Sequence, residues 1–247
     1  MRVSPLDLAN FELRTAEAVR AFWDARAAAA ERQKLAGVVD TGERAGVTSG
    51  KNMDGFVNFI ADLIDANGLP DAKIYLTRGV NTLPGYFRPT KDWDLLVIRR
   101  HQLIAALELK SQVGPSFGNN FNNRTEEAIG TALDLWTAFR EGALGDQPRP
   151  FVGWMIHVED ATGSRSPVRA NEPHFKVFPE LQRISYIQRY EALCRRLVTE
   201  NLYTEASIIT SSRDGGLQGQ YSDASEATSF RRFVVSFSAH IAAQAAL

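Results

Sequence analysis

Two strongly apolar segments, separated by a short polar stretch, constrain the fold of this chain more than any other feature. Residues 93–98 and 103–109 are rich in Leu, Ile, Val and Ala, and the residues between them, 99–102, are all polar. Two apolar runs around a short polar turn are typical of a β-hairpin. Their nearly continuous apolarity predicts strands that are buried on both faces, in a sheet covered by helices.

Charged side chains interrupt this apolar hairpin at three positions. Because side chains alternate between the two faces of a strand, Glu108 and Lys110 share one face, while Leu107 and Leu109 share the other. If the turn is centred on residues 100–101, Asp94 lies roughly opposite Glu108. Opposite residues of an antiparallel pair point to the same side. The hairpin is therefore predicted to bring two carboxylates together, with a lysine one step along.

A pair of facing carboxylates suggests a metal site. Like charges repel and raise each other's pKa, so the pair is poor structure unless a cation lies between them. Mg²⁺ held by Asp94 and Glu108 could polarise a phosphodiester oxygen and activate a water, while Lys110 would orient that water or offset developing negative charge. The alternative is a solvated sheet edge with a surface ion pair between Glu108 and Lys110. The apolarity of the strands argues against it, because unpaired buried charges are costly.

The rest of the chain predicts an α/β fold with a mixed central sheet flanked by helices. Without a recognisable linker, residues 1–247 are expected to form a single domain, with an N-terminal helix and loop (1–50), a catalytic core (51–158), and C-terminal recognition and dimer elements (159–247). The predicted helices are 15–34, 53–66, 126–140, 181–199 and one at the C-terminus. The predicted strands are 73–80, 93–98, 103–109, 151–158 and 206–210. The predicted loops are 41–50, 81–90, 111–123 and 211–225.

Composition sets limits on partners and location. The net charge of −1 gives no hint of nucleic-acid binding, so any basic surface must be local. A single cysteine, Cys194, fits a reducing cytoplasm, which is the predicted location. The most apolar stretch, 233–247, is too short to span a bilayer and predicts a core or dimer-interface helix. No membrane association is expected.

These residues also carry a family resemblance. Asp94 followed by Glu108-Leu109-Lys110 resembles the PD-(D/E)xK nuclease motif, and the order of elements resembles the common core of that superfamily. The segments 51–56 and 90–94, together with the helix near Trp136, resemble the XhoI-type type II restriction endonucleases. The resemblance covers most of the chain. The active-site motif is generic, whereas the long surrounding match is more specific.

The resemblance implies a restriction-endonuclease-like fold and a Mg²⁺-dependent enzyme that cuts double-stranded DNA at the palindrome CTCGAG, leaving 5′ overhangs. It also implies a homodimer and a cognate DNA methyltransferase that protects host DNA. One departure is Trp93, which stands where the motif has proline; that position varies in the superfamily. Two alternatives stay open: a structure-specific repair or junction nuclease of the same fold, and a non-catalytic DNA-binding module.

Further candidates lie near this hairpin in sequence. Many nucleases of this type carry an additional acid on the helix before the first strand, and here Asp54 or Asp62 could supply it. Asp54 could equally be an ordinary first-turn acid that favours the helix dipole. Asp92 has the same strand parity as Asp94 and is a weaker alternative ligand.

Sequence-specific DNA reading needs Arg, Lys, Asn and Gln on segments that reach the major groove. Three loops qualify, at residues 48–52, 116–124 and 211–221. The second could instead cap a helix, and the third could be an ordinary mobile loop. The candidate DNA-binding residues are Lys51 and Asn52 in the first, Asn119, Asn120, Asn122 and Arg124 in the second, and Arg213, Gln218 and Gln220 in the third.

Overall fold

The computed structural model describes residues 6–35 and 51–247 of the chain. Within these ranges the helices are α1 (Phe11–Leu35), α2 (Asp54–Ala66), α3 (Phe117–Arg140), α4 (Thr162–Arg165), α5 (Tyr186–Thr199), α6 (Arg213–Leu217) and α7 (Phe230–Ala245). The strands are β1 (Lys73–Tyr75), β2 (Thr82–Pro84), β3 (Thr90–Asp92), β4 (Leu95–Arg99), β5 (Gln102–Gln112), β6 (Phe151–Glu159), β7 (Glu205–Ser211) and β8 (Ser222–Asp223). The predicted loop 41–50 lies outside the described residues.

The described strands form a mixed sheet, as the sequence predicts. Six of them are arranged in the order β1-β4-β5-β6-β7-β8, and β2 and β3 form a separate two-stranded sheet. The pairs β1–β4, β4–β5 and β7–β8 are antiparallel, whereas β5–β6 and β6–β7 are parallel. Because β5, β6 and β7 run in the same direction, the segments that follow them all leave from one edge of the sheet.

Helices cover both faces of this sheet and explain the continuous apolarity of its strands. Leu107 and Leu109 of β5 pack in a cluster with residues of α1, α2 and α7. Ala106 of β5 and Trp154 of β6 pack on the other side, with residues of α3 and α5. Strands buried on both faces carry apolar side chains at nearly every position. The architecture is therefore the predicted α/β class, with three layers.

The turn between β4 and β5 has an unusual composition for its geometry. Arg100 and His101 form it, and their φ angles are 49° and 67°. Positive φ at both central residues is the requirement of a type I′ hairpin turn, whose twist matches that of the flanking strands. Glycine and asparagine usually occupy these positions because a Cβ atom is strained there.

A register shift interrupts the pairing of β4 with β5. Next to the turn, Ile98 lies opposite Leu103, but Val97 lies opposite Ala105. Ile104 is therefore an extra residue on β5, as in a β-bulge. Beyond it, every residue of β4 faces a partner one position further along β5 than a regular two-residue hairpin would provide.

The sequence-based prediction was wrong at the start of α3, which begins at Phe117 and not at residue 126. Four asparagines and a glycine at its start favour a loop by propensity. Tertiary packing overrides this preference, because Phe117 is buried against Tyr186 and Phe121 contacts Tyr190 edge-on.

Smaller elements also differ from expectation. The predicted strand 73–80 ends at Tyr75, and the predicted loop 81–90 contains β2 and the first residue of β3. The predicted loop 211–225 contains α6 and β8. The C-terminal apolar run forms α7, whose largest side chains lie in the core. No helix within the described ranges combines the length and the apolarity needed to cross a bilayer.

Candidate active site

The β4–β5 hairpin brings Asp94 and Glu108 together. Leu95 pairs with Leu107, so one further step along both strands sets Asp94 opposite Glu108. Both residues have the strand parity of the face that carries α3. The chain is fixed just before Asp94, because the Trp93 amide donates a hydrogen bond of 2.8 Å to the carbonyl of Asn81.

Lys110 lies between the two carboxylates rather than beside them. Its Nζ atom is 3.4 Å from Oδ2 of Asp94 and makes an ion pair with Oε2 of Glu108. The backbone amide of Leu109 donates a hydrogen bond of 2.8 Å to Oδ2 of Asp94. A single positive charge thus contacts both carboxylates, which shows that the two groups converge on one point.

A second lysine, which the sequence-based reasoning missed, completes the pairing of Glu108. The Glu108 residue is only 2 % exposed, and its other oxygen, Oε1, makes an ion pair with Lys91. The ammonium of Lys91 also donates to the carbonyl of Asp92 and lies 5.4 Å from the centre of the Trp93 ring. Lys91 belongs to β3, so only the fold of the β2–β3 hairpin brings it here.

The charges in this cluster perturb one another. Burial alone would lower the pKa of Lys110, but the negative charges of Glu108 and Asp94 outweigh burial and raise it. Burial would likewise raise the pKa of Glu127 on α3, yet the positive charges of Lys110 and Arg124 lower it. Glu127 therefore interacts electrostatically with both Lys110 and Arg124. The Nη1 atom of Arg124 is 2.6 Å from Oε2 of Glu127.

A cleft of about 610 Å³ opens above the cluster. Two residues of the cluster, Asp94 and Lys110, line this cleft, whereas Glu108 is buried. Other polar residues in the lining are Asn52, Asp54, Asn58, Arg78, Asn81, Asp92, Ser111 and Arg124. The cleft lies at one edge of the sheet, where α2 begins and where β5 leads into α3.

The acidic candidates separate into two groups. Asp54, in the first turn of α2, lines the cleft with Asp94. Asp62, two turns further along α2, makes an ion pair with Arg14 of α1 instead. Asp92 lines the cleft, where its Oδ2 atom is 3.4 Å from Nε of Arg78. Arg78 is an exposed cleft residue that the sequence reasoning also missed, since it sits in an irregular segment without a motif.

The candidate DNA-binding residues lie close to the same edge but not all in the predicted loops. Asn52 and Arg124 line the cleft. Asn119, Asn120 and Asn122 lie in the first turns of α3, so the expectation of a loop at these positions was wrong. The side chain of Lys51 lies outside the described residues.

The third candidate segment follows β7 and is partly helical, which corrects the expectation of a loop. Arg213 begins α6 and Gln218 caps its end, while Gln220 lies just beyond; all three are exposed. The Arg213 guanidinium lies over the Trp23 ring and 3.9 Å from Glu159. The segment that carries these side chains leaves β7 at the edge of the sheet where the cleft lies.

The donor set suits a hard divalent cation. Two carboxylates already converge on the ammonium of Lys110, and carboxylate oxygens are the ligands that such cations prefer. In residues 6–35 and 51–247 no group of three or more His, Cys, Asp and Glu side chains is arranged to hold a metal ion. Two carboxylate ligands would be typical of Mg²⁺ sites, which also use water and substrate phosphate.

A mixed sheet flanked by helices, with an acid before one strand and a Glu-x-Lys triplet on the next, is consistent with a restriction-endonuclease-like fold. Comparison with known proteins identifies the family. Residues 32–223 match the model of the family described as Restriction endonuclease XhoI. The chain belongs to this family and is a type II restriction endonuclease, a hydrolase that cuts double-stranded DNA at specific sites.

Three relatives illustrate how close the match is. The chain is 55 % identical over 194 residues to the type II restriction enzyme XhoI of Xanthomonas vasicola, covering 78 % of this chain and 77 % of the relative. It is 44 % identical over 219 residues to BstVI of Geobacillus stearothermophilus, covering 87 % and 97 %. It is 59 % identical over 171 residues to AbrI of Azospirillum brasilense, covering 69 % and 77 %. No solved structure matched the chain.

Proposed function

We propose that this enzyme hydrolyses one phosphodiester bond in each strand of the palindrome CTCGAG, depends on Mg²⁺ and leaves 5′ overhangs. The catalytic part of this proposal rests on one observation: Asp94 and Glu108 both contact the ammonium of Lys110, which lies in the wall of a polar cleft. Membership of the XhoI family supports the choice of target and the need for a divalent metal.

Each residue of the hairpin has a distinct part in this proposal. Asp94 and Glu108 would hold the metal ion. When bound, Mg²⁺ polarises a phosphodiester oxygen and makes a bound water more acidic. Lys110 keeps its ammonium beside both carboxylates, where it can orient the attacking water or offset negative charge as the phosphate is attacked. Asp54 lines the same cleft and would assist at the same centre.

The polar rim of the cleft would bind the DNA. Arg124 and Arg78 line it and would neutralise phosphate charge, which supplies most of the sequence-independent affinity for DNA. Base reading would come from side chains with hydrogen-bonding geometry suited to base edges. The residues proposed for it are Asn52 and Lys51, Asn119, Asn120 and Asn122, and Arg213, Gln218 and Gln220.

Two macromolecular partners follow from the same proposal. A palindromic target presents the same sequence on both strands, so a two-fold symmetric homodimer would present one active site to each strand. A cognate DNA methyltransferase would protect the same sequence in the host. The predicted cytoplasmic location, where the host DNA is found, stays a prediction.

A digest of a fully sequenced plasmid tests the proposal. We expect discrete fragments in Mg²⁺, with sequenced ends that lie within CTCGAG and carry 5′ extensions, and no cleavage in EDTA. A second plasmid in which every CTCGAG differs by one base is the control and should stay intact. Cleavage at another sequence would contradict the proposed target, and cleavage in EDTA would contradict the metal requirement.

A further inference from the structure

Glu108 carries a full set of ionic partners although it is almost completely buried. Lys91 contacts Oε1 and Lys110 contacts Oε2, while the residue is 2 % exposed. A buried carboxylate without partners is strongly unfavourable, so this pairing accounts for how a charged side chain is tolerated in the middle of an apolar strand. It also means that both oxygens of a proposed metal ligand are occupied by ammonium groups.

The two lysines are not equivalent. Lys110 lies on the same strand as Glu108 and contacts both Glu108 and Asp94. Lys91 comes from the separate β2–β3 sheet, and its ion pair within the described residues is with Glu108. Release of Lys91 would therefore free one oxygen of Glu108 while leaving Asp94, Glu108 and Lys110 connected.

The charges of Asp94, Glu108, Lys91 and Lys110 favour such a release when a divalent cation binds. Asp94 and Glu108 carry two negative charges, and Lys91 and Lys110 carry two positive charges. A divalent cation added to this neutral set would face two ammonium groups at close range, and like charges at that distance repel strongly. Moving one ammonium away lowers this repulsion and provides a free carboxylate oxygen at the same time.

We propose that Lys91 is a displaceable counter-ion of Glu108, which pairs with Oε1 and yields that oxygen to the divalent cation when it binds. This inference rests on the proposed metal-dependent function. Lys91 is a positioning residue in this scheme, since it acts on the metal site through Glu108. The carbonyl of Asp92 and the face of the Trp93 ring are nearby partners for the released ammonium.

The test measures Mn²⁺ binding to the full chain without DNA, by the electron paramagnetic resonance signal of free Mn²⁺. Lys91→Met removes the competing charge, so we expect it to bind Mn²⁺ about tenfold more tightly than the wild type. Lys91→Arg keeps the charge and should bind like the wild type. Lys73→Met removes an exposed lysine from β1 and should also leave binding unchanged.

The outcomes separate this inference from the function on which it rests. Unchanged or weaker Mn²⁺ binding by a folded Lys91→Met variant, with normal binding by the wild type, overturns the counter-ion role and leaves the metal requirement standing. Absence of Mn²⁺ binding in every variant overturns the counter-ion role, and the plasmid digest in Mg²⁺ and in EDTA decides the metal requirement separately. A loss of structural integrity alone would not tighten metal binding, so the expected gain is specific to the proposed role.

A measurement on the wild type keeps the inference testable if Lys91→Met does not fold. Amine labelling followed by mass spectrometry reports how accessible each lysine is. We expect Mn²⁺ to increase labelling of Lys91, because its ammonium leaves the ion pair, and to leave labelling of Lys73 unchanged. Equal labelling of Lys91 with and without Mn²⁺ would overturn the proposal.

Discussion

At the scale of single residues, Asp94 and Asp62 provide a direct comparison between an acid in the proposed active site and one outside it. Asp94 lines the cleft and contacts Lys110, whereas Asp62 pairs with Arg14 on a different surface. We expect Asp94→Ala to reduce the cleavage rate by about 1,000-fold or more, because it removes a proposed metal ligand. Asp62→Ala should retain nearly the full rate. Single-turnover cleavage of a CTCGAG duplex measures both.

Binding data complete this comparison. Specific binding of the same duplex by Asp94→Ala should survive, since the substitution removes a proposed catalytic group and leaves the rest of the cleft lining in place. Normal cleavage by Asp94→Ala would exclude it from the active site. Loss of both binding and folding would mean that Asp94 is a structural residue.

His157 is a second residue whose surroundings make a testable difference. It is fully buried on β6 among aromatic rings, its Nε2 atom is 2.7 Å from Oγ of Ser211, and Trp23 donates to the same hydroxyl. Burial, with a smaller contribution from Arg26, lowers the pKa of His157 to about 3 from a usual 6.5. The side chain is therefore neutral in the folded enzyme at every pH at which the enzyme would work.

This shift predicts a loss of stability in mild acid. Between the two pKa values the unfolded chain binds a proton that the folded chain does not. The contribution of His157 is thus complete above about pH 6.5 and is lost as the pH falls towards 3, at up to about 1.4 kcal/mol per pH unit. Urea unfolding between pH 6.5 and 5 should show this slope, and His157→Gln should reduce it. Equal slopes in both proteins would contradict the prediction.

The site residues that could be predicted from sequence are those related by strand geometry. Glu108 and Lys110 share a face because side chains alternate. Asp94 was expected opposite Glu108, but it reaches that position only because the bulge at Ile104 shifts the register by one residue, and the sequence did not reveal this bulge. Lys91 could not be found in this way. Its contact with Glu108 depends on a hairpin of two three-residue strands, which carry too little periodicity to be recognised.

At the scale of elements, the β4–β5 turn combines a favourable geometry with unfavourable residues. Arg100 and His101 both adopt positive φ, where a Cβ atom is strained. Replacing them with Asn and Gly, respectively, should therefore raise the free energy of unfolding by about 1 kcal/mol. Chemical denaturation of the double variant measures the change. His101→Ala retains a Cβ atom and should give no gain; a gain of equal size there would contradict the strain argument.

Prediction of the elements succeeded where burial produces a clear pattern and failed where packing overrides local preference. The β4–β5 hairpin, β6 and β7 were predicted to within a few residues because their apolar runs are long. The first turns of α3 were missed because Gly118 and its asparagines favour a loop. Contacts of Phe117 and Phe121 with α5 stabilise these turns as helix. The sequence does not reveal these contacts, because they depend on how the two helices pack together.

At the scale of the whole molecule, a net charge close to zero coexists with a local cluster of cationic side chains. The net charge is −1, yet Arg78, Lys110 and Arg124 line one cleft at one edge of the sheet. The segments after β5 and β7, which carry the other proposed DNA contacts, leave from the same edge. Composition could not indicate this cluster, because the fold, and not the number of basic residues, brings Arg78, Lys110 and Arg124 into one cleft beside Asp54, Asp92 and Asp94.

The proposed homodimer is tested at this scale. A single chain offers one set of Asp94, Glu108 and Lys110, so cutting both strands of a palindrome in one binding event needs two chains. We expect sedimentation velocity to give two chains per CTCGAG duplex in EDTA, where cleavage does not occur. A scrambled duplex of equal length is the control. One chain per duplex at all protein concentrations would contradict the proposed assembly.

The extra residue at Ile104 has a consequence for recognising related enzymes. A regular hairpin with the turn at Arg100 and His101 would pair Asp94 with Leu107 and leave Glu108 on the opposite side. The bulge corrects this mismatch, so the number of residues between the acid and the Glu-x-Lys triplet does not by itself decide whether they meet. Homologues with one residue more or fewer in this interval could keep the same chemistry by gaining or losing a bulge, and motif searches that fix the interval would overlook them.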